Sequence, residues 1–262
     1  MKKIPQDIIG DIAVLKFKRR TPWIVRKFKA WRFLKNHKNI NTVLEKIDKF
    51  SGELRIPKTR YLSGEKKYET IYKENQCLFK FNINETYFSP RLSNERKIIS
   101  EEVAKLAKPN AKILVCFAGI APYPIAIAKQ LKKQKKSAKI ISNELNKKAC
   151  EYAETNVKLN KLDNLIQVIC DDARNLPKKL KQKFDIILMP RPNLKNTFLK
   201  EILKMSKKGT IIYYHGFGTK EEVLNEIKRD TKNKIGKIKI RKAGDIGPHV
   251  FRWQATFKVK SD

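Results

Sequence analysis

From Leu92 onward, short apolar runs alternate with amphipathic stretches, and that order leaves few folds open. KILVCFA, KIISNEL, IQVICDDA, FDIILMP and GTIIYYHGF are the length and composition of buried strands. PIAIAKQLKKQ, KKACEYAETNVKLN, LKNTFLKEILKMS and TKEEVLNEIKRD read as helices. RLSNERKIISEEVAKLA leads in as a further helix, with Ile98, Ile99, Val103 and Leu106 on one face and Pro109 as its stop. IGKIKIRKAG and HVFRWQATFKV close the pattern as two strands. Strands alternating with helices predict an α/β domain of Rossmann-like type: a mostly parallel, doubly wound sheet with an antiparallel end.

In such a sheet, ligands bind beyond the carboxyl ends of the strands. The first strand ends at Phe117 and runs into the small-residue turn Ala118-Gly119-Ile120-Ala121, where a cofactor can approach the backbone. The second ends in Asn143-Glu144-Leu145, the third in Asp171-Asp172-Ala173, and the fourth in MPRPN, Met189 to Asn193. An acid at the second strand end can bind ribose hydroxyls, and the third can read an adenine edge. No GxGxxG is present, which weakens a nicotinamide reading; the acid followed by Asp-Asp fits S-adenosylmethionine better. Taken singly, Glu144 is also readable as a surface carboxylate and Asp172 as a helix N-cap.

The first ninety residues have a different character. Ile8 to Phe17 reads as a strand with Gly10 as punctuation, and INTVLEKIDKF, ending at Phe50, as a short helix. Strands follow between Gly52 and Phe88, giving a small α+β unit. The boundary is expected near Ser89-Pro90-Arg91, which divides the chain into residues 1–90 and 91–262. Within the first unit, KFKRRTPWIVRKFKAWRFLKNHK interleaves Trp23, Phe28, Trp31 and Phe33 with Lys and Arg. That is the pattern of an RNA-facing helix, and equally of an amphipathic helix with one core stripe and one solvated face.

The formal net charge of +34 opposes compaction and points to a polyanionic partner, nucleic acid above all. Part of a lysine excess can instead reflect genome bias or adaptation to heat. No apolar run approaches the ~20 residues of a membrane span, and MKKIPQDIIGDIAVLKF does not read as a signal peptide. The four cysteines, Cys77, Cys116, Cys150 and Cys170, form no CxxC pair, so no metal site is expected; they read as free buried thiols in a reducing cytoplasm.

With IGDIAVL, TVLEKIDKFSGELR, ETIYKENQCLFKFNINETYFSPRLSNER, CFAGIAPY, NVKLNKL, DDAR, MPRPN and YYHGF together, the chain resembles the class I, archaeal and eukaryotic, tRNA (guanine-37-N1)-methyltransferases and the related wybutosine-synthesis transferases. FSPRLSNER is the most specific block. The resemblance implies transfer of a methyl group from S-adenosylmethionine to N1 of the guanine just 3′ of the anticodon. It implies Glu95 as the base that removes the N1 proton, Arg55 as the group that meets charge growing on O6, and Tyr87 as the aromatic beside the target base. Cofactor contacts are implied for Arg96, Phe117, Gly119, Ala121, Glu144, Leu145, Asp172, Ala173 and Pro190. Three positions depart from the family pattern: Val115 replaces an Asp, Ala121 a Gly, and Pro190 an Asn. The implied partner is the tRNA anticodon loop, bound by a cytoplasmic monomer without DNA or membrane. The extra N-terminal domain of longer relatives is not recognisable, and the basic charge is expected to substitute for its grip. The alternatives are an aminocarboxypropyl transferase of wybutosine synthesis and a non-catalytic tRNA-binding protein. Tyr213, Tyr214 and His215 are expected to be structural or loop-edge residues.

Overall fold

The computed structural model describes residues 4–47, 54–232, 234–247 and 250–260. The chain forms two compact units, Met1–Ser93 and Asn94–Asp262.

In the first unit, β1 (Gln6–Ile9) and β2 (Ile12–Leu15) form a hairpin, α1 (Trp23–Asn36) crosses over to β3 (Thr42–Lys46) parallel to β2, and β4 (Thr59–Gly64) returns antiparallel. The hairpin turn needs Gly10. Its φ is +57°, and a Cβ there would lie 2.2 Å from the Thr70 hydroxyl oxygen and 2.5 Å from the Ile71 carbonyl oxygen. Ala13, Leu15, Ala30, Ile40, Val43 and Leu62 make the core under α1. A second hairpin, β5 (Glu69–Glu74) and β6 (Cys77–Asn82), packs Phe79 and Phe81 near Phe88 and precedes a 3-10 turn at Pro90–Leu92. The helix expected over INTVLEKIDKF is corrected: Thr42–Lys46 is a strand. Its apolar spacing suits either form, but β-branched Thr42 and Val43 fit a pleated surface, and ladders on both sides decide. Residues 48–50 of that expectation, and Gly52, lie outside the described residues.

The second unit opens within α2 (Ser93–Leu106), from Asn94 onward. β7 (Ala111–Val115), α3 (Pro122–Lys133), β8 (Ala138–Glu144), α4 (Lys147–Leu159), β9 (Ile166–Cys170), α5 (Leu176–Leu180), β10 (Phe184–Met189), α6 (Leu199–Leu203), β11 (Ser206–Gly218), α7 (Lys220–Thr231), β12 (Lys239–Gly247) and β13 (Val250–Lys258) follow. The sheet order is β12-β13-β11-β10-β7-β8-β9, parallel from β9 to β11 and antiparallel at β13 and β12. Strand order reverses between β7 and β10, so a ligand crevice is expected at their carboxyl ends. Ile113, Leu114, Val115, Ile187, Leu188 and Met189 are buried, as central parallel strands require.

The helix expected over LKNTFLKEILKMS is shorter than its pattern. The Asn196 side chain caps the Phe198 amide and the Thr197 hydroxyl binds Asp230, which holds 194–198 out of the helix. The cysteine expectation is also corrected. Cys150 and Cys170 are disulfide-bonded, Cα atoms 5.8 Å apart, because α4 packs beside β9; Cys77 and Cys116 are free and buried.

Candidate active site

The turn after β7 is built on left-handed backbone. Phe117, Gly119 and Ala121 have φ of 55°, 57° and 66°. For Phe117 and Ala121 this conformation costs about 1–2 kcal/mol each, which the surrounding structure must offset. Three contacts do so. The Asn143 carbonyl accepts the Ala118 amide at 2.9 Å, the Glu144 carboxylate accepts the Gly119 amide at 2.8 Å, and buried Asn156 on α4 donates to the Ile120 carbonyl at 3.2 Å. Pro122 starts α3 directly behind, where its missing N–H costs nothing. The family-pattern Gly at position 121 is therefore replaced without losing the turn.

Glu144 ends β8. Its other oxygen accepts the Asn146 amide at 2.9 Å, and burial pushes its pKa up despite these bonds. The Asn143 side chain donates to the carbonyls of Ile169 and Asp171, tying β8 to the end of β9. Asp172 accepts from the Arg174 guanidinium and amide, the guanidinium chiefly holding its pKa down. It closes its own turn; Asn175, not Asp172, precedes α5. Ala173 is buried beside it and Leu145 is exposed.

The loop after β10 is organised by Arg191, only 2% exposed. Its guanidinium donates to the Tyr214 hydroxyl at 2.7 Å, to Glu226 at 2.7 Å, and to the carbonyls of Pro192, Leu194 and Asn196. Pro190 sits half-buried at the head of that loop, and Tyr214 also binds Glu226. These strand ends bring Phe117, Gly119, Ala121, Glu144, Leu145, Asp172, Ala173 and Pro190 to one edge of the sheet. Small residues at a left-handed turn with a carboxylate at the next strand end suit the ribose and methionine portions of S-adenosylmethionine.

Glu95 lies in the first turn of α2, 6% exposed, and Arg96 follows it, also buried. Arg241 and His215 both reach the Glu95 carboxylate, contacts for which the sequence offered no local signal. His215 is thus a buried structural residue of β11, not a loop-edge one. In the first unit, Arg55 adopts φ +50° with its guanidinium 5.5 Å from the Tyr87 ring centroid, a cation–π contact.

The sequence matches the TRM5/TYW2 methyltransferase domain over residues 70–241. The chain belongs to that family. It is 35% identical to the tRNA (guanine(37)-N(1))/4-demethylwyosine(37)-methyltransferase of Nanoarchaeum equitans, over 94% of this chain and 96% of that one. It is 30% identical to the tRNA (guanine(37)-N(1))-methyltransferase of Pyrococcus abyssi, over 91% of this chain and 68% of that one. Among solved structures it resembles aTrm5 in its complex with tRNALeu, with a TM-score of 0.85 and 26% identity, covering 98% of this chain and 72% of that one. The Rossmann-like methyltransferase fold and the family resemblance of the TRM5/TYW2 type are both as expected from the sequence.

Proposed function

We propose that this protein methylates N1 of guanine 37 in tRNA. The observation that carries the reading is a buried carboxylate, Glu95, gripped by Arg241 and His215 at the start of α2 in a chain of this family. S-adenosylmethionine, when bound, supplies an electrophilic methyl group on sulfur. Gly119, Ala121 and Phe117 shape its seat, Glu144 and Leu145 take the ribose end, Asp172 and Ala173 the adenine end, and Arg96 and the Pro190 loop the remainder. Glu95 accepts the N1 proton as the N1–methyl bond forms. Arg55 donates to O6, where negative charge grows, and Tyr87 stacks beside the base. The cation–π contact between Arg55 and Tyr87 supports giving the two neighbouring roles.

Residues 1–90 act as the tRNA-contacting domain and 91–262 as the catalytic domain. α1 supports the first assignment. It carries no acidic residue, and Ile24, Phe28 and Trp31 are 81%, 57% and 46% exposed among Arg32, Lys27 and Lys35. Lys35 lies 4.3 Å from the Trp31 ring centroid. Aromatic faces framed by cations suit unpaired bases and phosphates. The partner is tRNA and the working form a monomer in the cytoplasm, without DNA or membrane. Because of the Cys150–Cys170 bond, the thiols no longer argue for that compartment; the tRNA substrate does. No helix among the described residues is long and apolar enough to cross a membrane.

A second substrate is favoured by the 35% identity to an enzyme named for both guanine 37 and 4-demethylwyosine. Mass spectrometry of anticodon-loop nucleosides, after incubation with tRNA and S-adenosylmethionine, tests the reading. A methyl mass on guanine is expected. The larger aminocarboxypropyl mass would move the protein to the wybutosine-type transfer, and an unmodified guanine would leave it a tRNA-binding protein.

A further inference from the structure

Arg241 lies outside the blocks that carry the family resemblance, at the last residue of the family match, yet it makes the closest contacts to Glu95. Its Nη1 donates to Oε2 at 2.6 Å and its Nη2 to Oε1 at 3.0 Å. This fork fixes the carboxylate plane as well as its charge. Arg241 is carried on β12, whose pairing with β13 sets it opposite Gln254. His215, on β11, meets Oε1 through Nε2 at 3.3 Å.

The His215 contact is of a different kind. The imidazole is wholly buried, burial chiefly holds its pKa down, and Nδ1 has no hydrogen-bond partner. The ring is therefore neutral with its proton on Nε2, donating a hydrogen bond but no charge. A carboxylate offers about four lone-pair sites. Arg241 and His215 occupy three, which leaves one for an incoming N–H.

Among the described residues, the other charged or titratable groups facing this cluster are Arg96 on α2, Arg252 on β13 and the Tyr123 hydroxyl on α3. None of them is hydrogen-bonded to Glu95. Burial alone would push Glu95 upward in pKa; the hydrogen bonds from His215 and Arg241, with the Arg241 charge, outweigh it and bring it below the ordinary carboxylate value.

We propose that Arg241 is the positioning residue for the reaction's base: its fork turns the buried Glu95 carboxylate so that the free lone pair faces guanine N1. The proposal rests on Glu95 being the base. Without the guanidinium, a carboxyl buried beside a neutral imidazole takes up a proton at higher pH and can no longer accept one from N1. Lysine would restore charge but not the fork, so it would recover ionisation better than geometry.

The structure also makes the test practicable. One side of Arg241 borders a cavity of about 390 Å³, shared with Tyr213, Gln254 and Leu106, so a shorter side chain leaves no closed void. Single-turnover methylation is measured from pH 4 to 8 for the wild type, R241Q, R241K and E95Q. For R241Q the acid limb is expected to move up by about one pH unit, an approximately tenfold loss at its acid end that is recovered by pH 8. R241K is expected to keep the wild-type acid limb with a lower plateau. Carboxyl carbon-13 NMR of glutamate-labelled protein, with E95Q identifying the signal, reads the same shift without turnover.

If E95Q is inactive while R241Q keeps both the wild-type pH profile and the wild-type carboxyl titration, the role of Arg241 is overturned and the base stands. If E95Q is fully active, the reading beneath fails instead. Should R241Q not fold, R241K decides: an acid limb displaced upward despite the retained cation would refute the proposal.

Discussion

Arg191 gives the sharpest test of how the fold builds the cofactor edge. Replacing it with Met keeps much of the stem and removes every polar atom. The loss includes the 2.7 Å ion pair to Glu226, the 2.7 Å bond to the Tyr214 hydroxyl, and the bonds that gather the carbonyls of Pro192, Leu194 and Asn196. Tyr214 remains buried, with a pKa raised mainly by desolvation, so its hydroxyl keeps its proton and donates to Glu226 alone. Breaking a buried pair by removing one partner costs about 3–5 kcal/mol. Glu226 is partly solvated, so the lower end applies, about 3 kcal/mol. In a unit of this size that lowers Tm by about 6–12 °C. Urea denaturation and a thermal melt measure the stability, and calorimetry with S-adenosylmethionine measures the seat. Affinity is expected to fall with stability, because the Pro190 loop loses its anchor. A loss below about 1 kcal/mol with unchanged affinity would refute the assignment of Arg191 as the loop's organiser.

Gly10→Ala should destabilise the first unit by about 2–4 kcal/mol in urea denaturation, because the added methyl meets Thr70 and Ile71 in a left-handed turn. Glu144→Gln should weaken S-adenosylmethionine binding about 10–100-fold by calorimetry, since an amide cannot accept from both the Gly119 and Asn146 amides and still receive ribose hydroxyls. The double change Phe28→Ala with Trp31→Ala should cost about 1–3 kcal/mol of tRNA affinity per stacked base and leave cofactor binding unchanged. Added salt should weaken tRNA binding steeply for the wild type, as phosphate contacts by a chain of net charge +34 require, and a flat salt dependence would contradict it.

The parallel sheet was legible because its central strands are uninterrupted apolar runs, with small residues or acids at their ends. Ile113 to Val115 and Ile187 to Met189 leave no other role for those segments. The segment at Thr42–Lys46 was misread because five residues carry too little periodicity to separate strand from helix, and the ladder with β2 is non-local. The Asn196 and Asp230 contacts that shorten α6 are likewise invisible to periodicity. The turn and its acids were legible as a ligand edge, whereas Arg241 and His215 were not. They reach Glu95 from sequence separations of 146 and 120, and nothing local distinguishes one arginine among sixty basic residues. The Cys150–Cys170 bond was missed for the same reason, since only the packing of α4 beside β9 brings the two together.

The central claim is that the Glu95 carboxylate takes the proton from guanine N1. Single-turnover methylation of tRNA by Glu95→Gln, with tRNA and S-adenosylmethionine binding measured on the same protein, tests it most directly. Both ligands should bind within about threefold of wild type while the methylation rate falls at least about 10²-fold, the scale of a lost general base. A Glu95→Gln rate equal to that of the wild type would contradict the account.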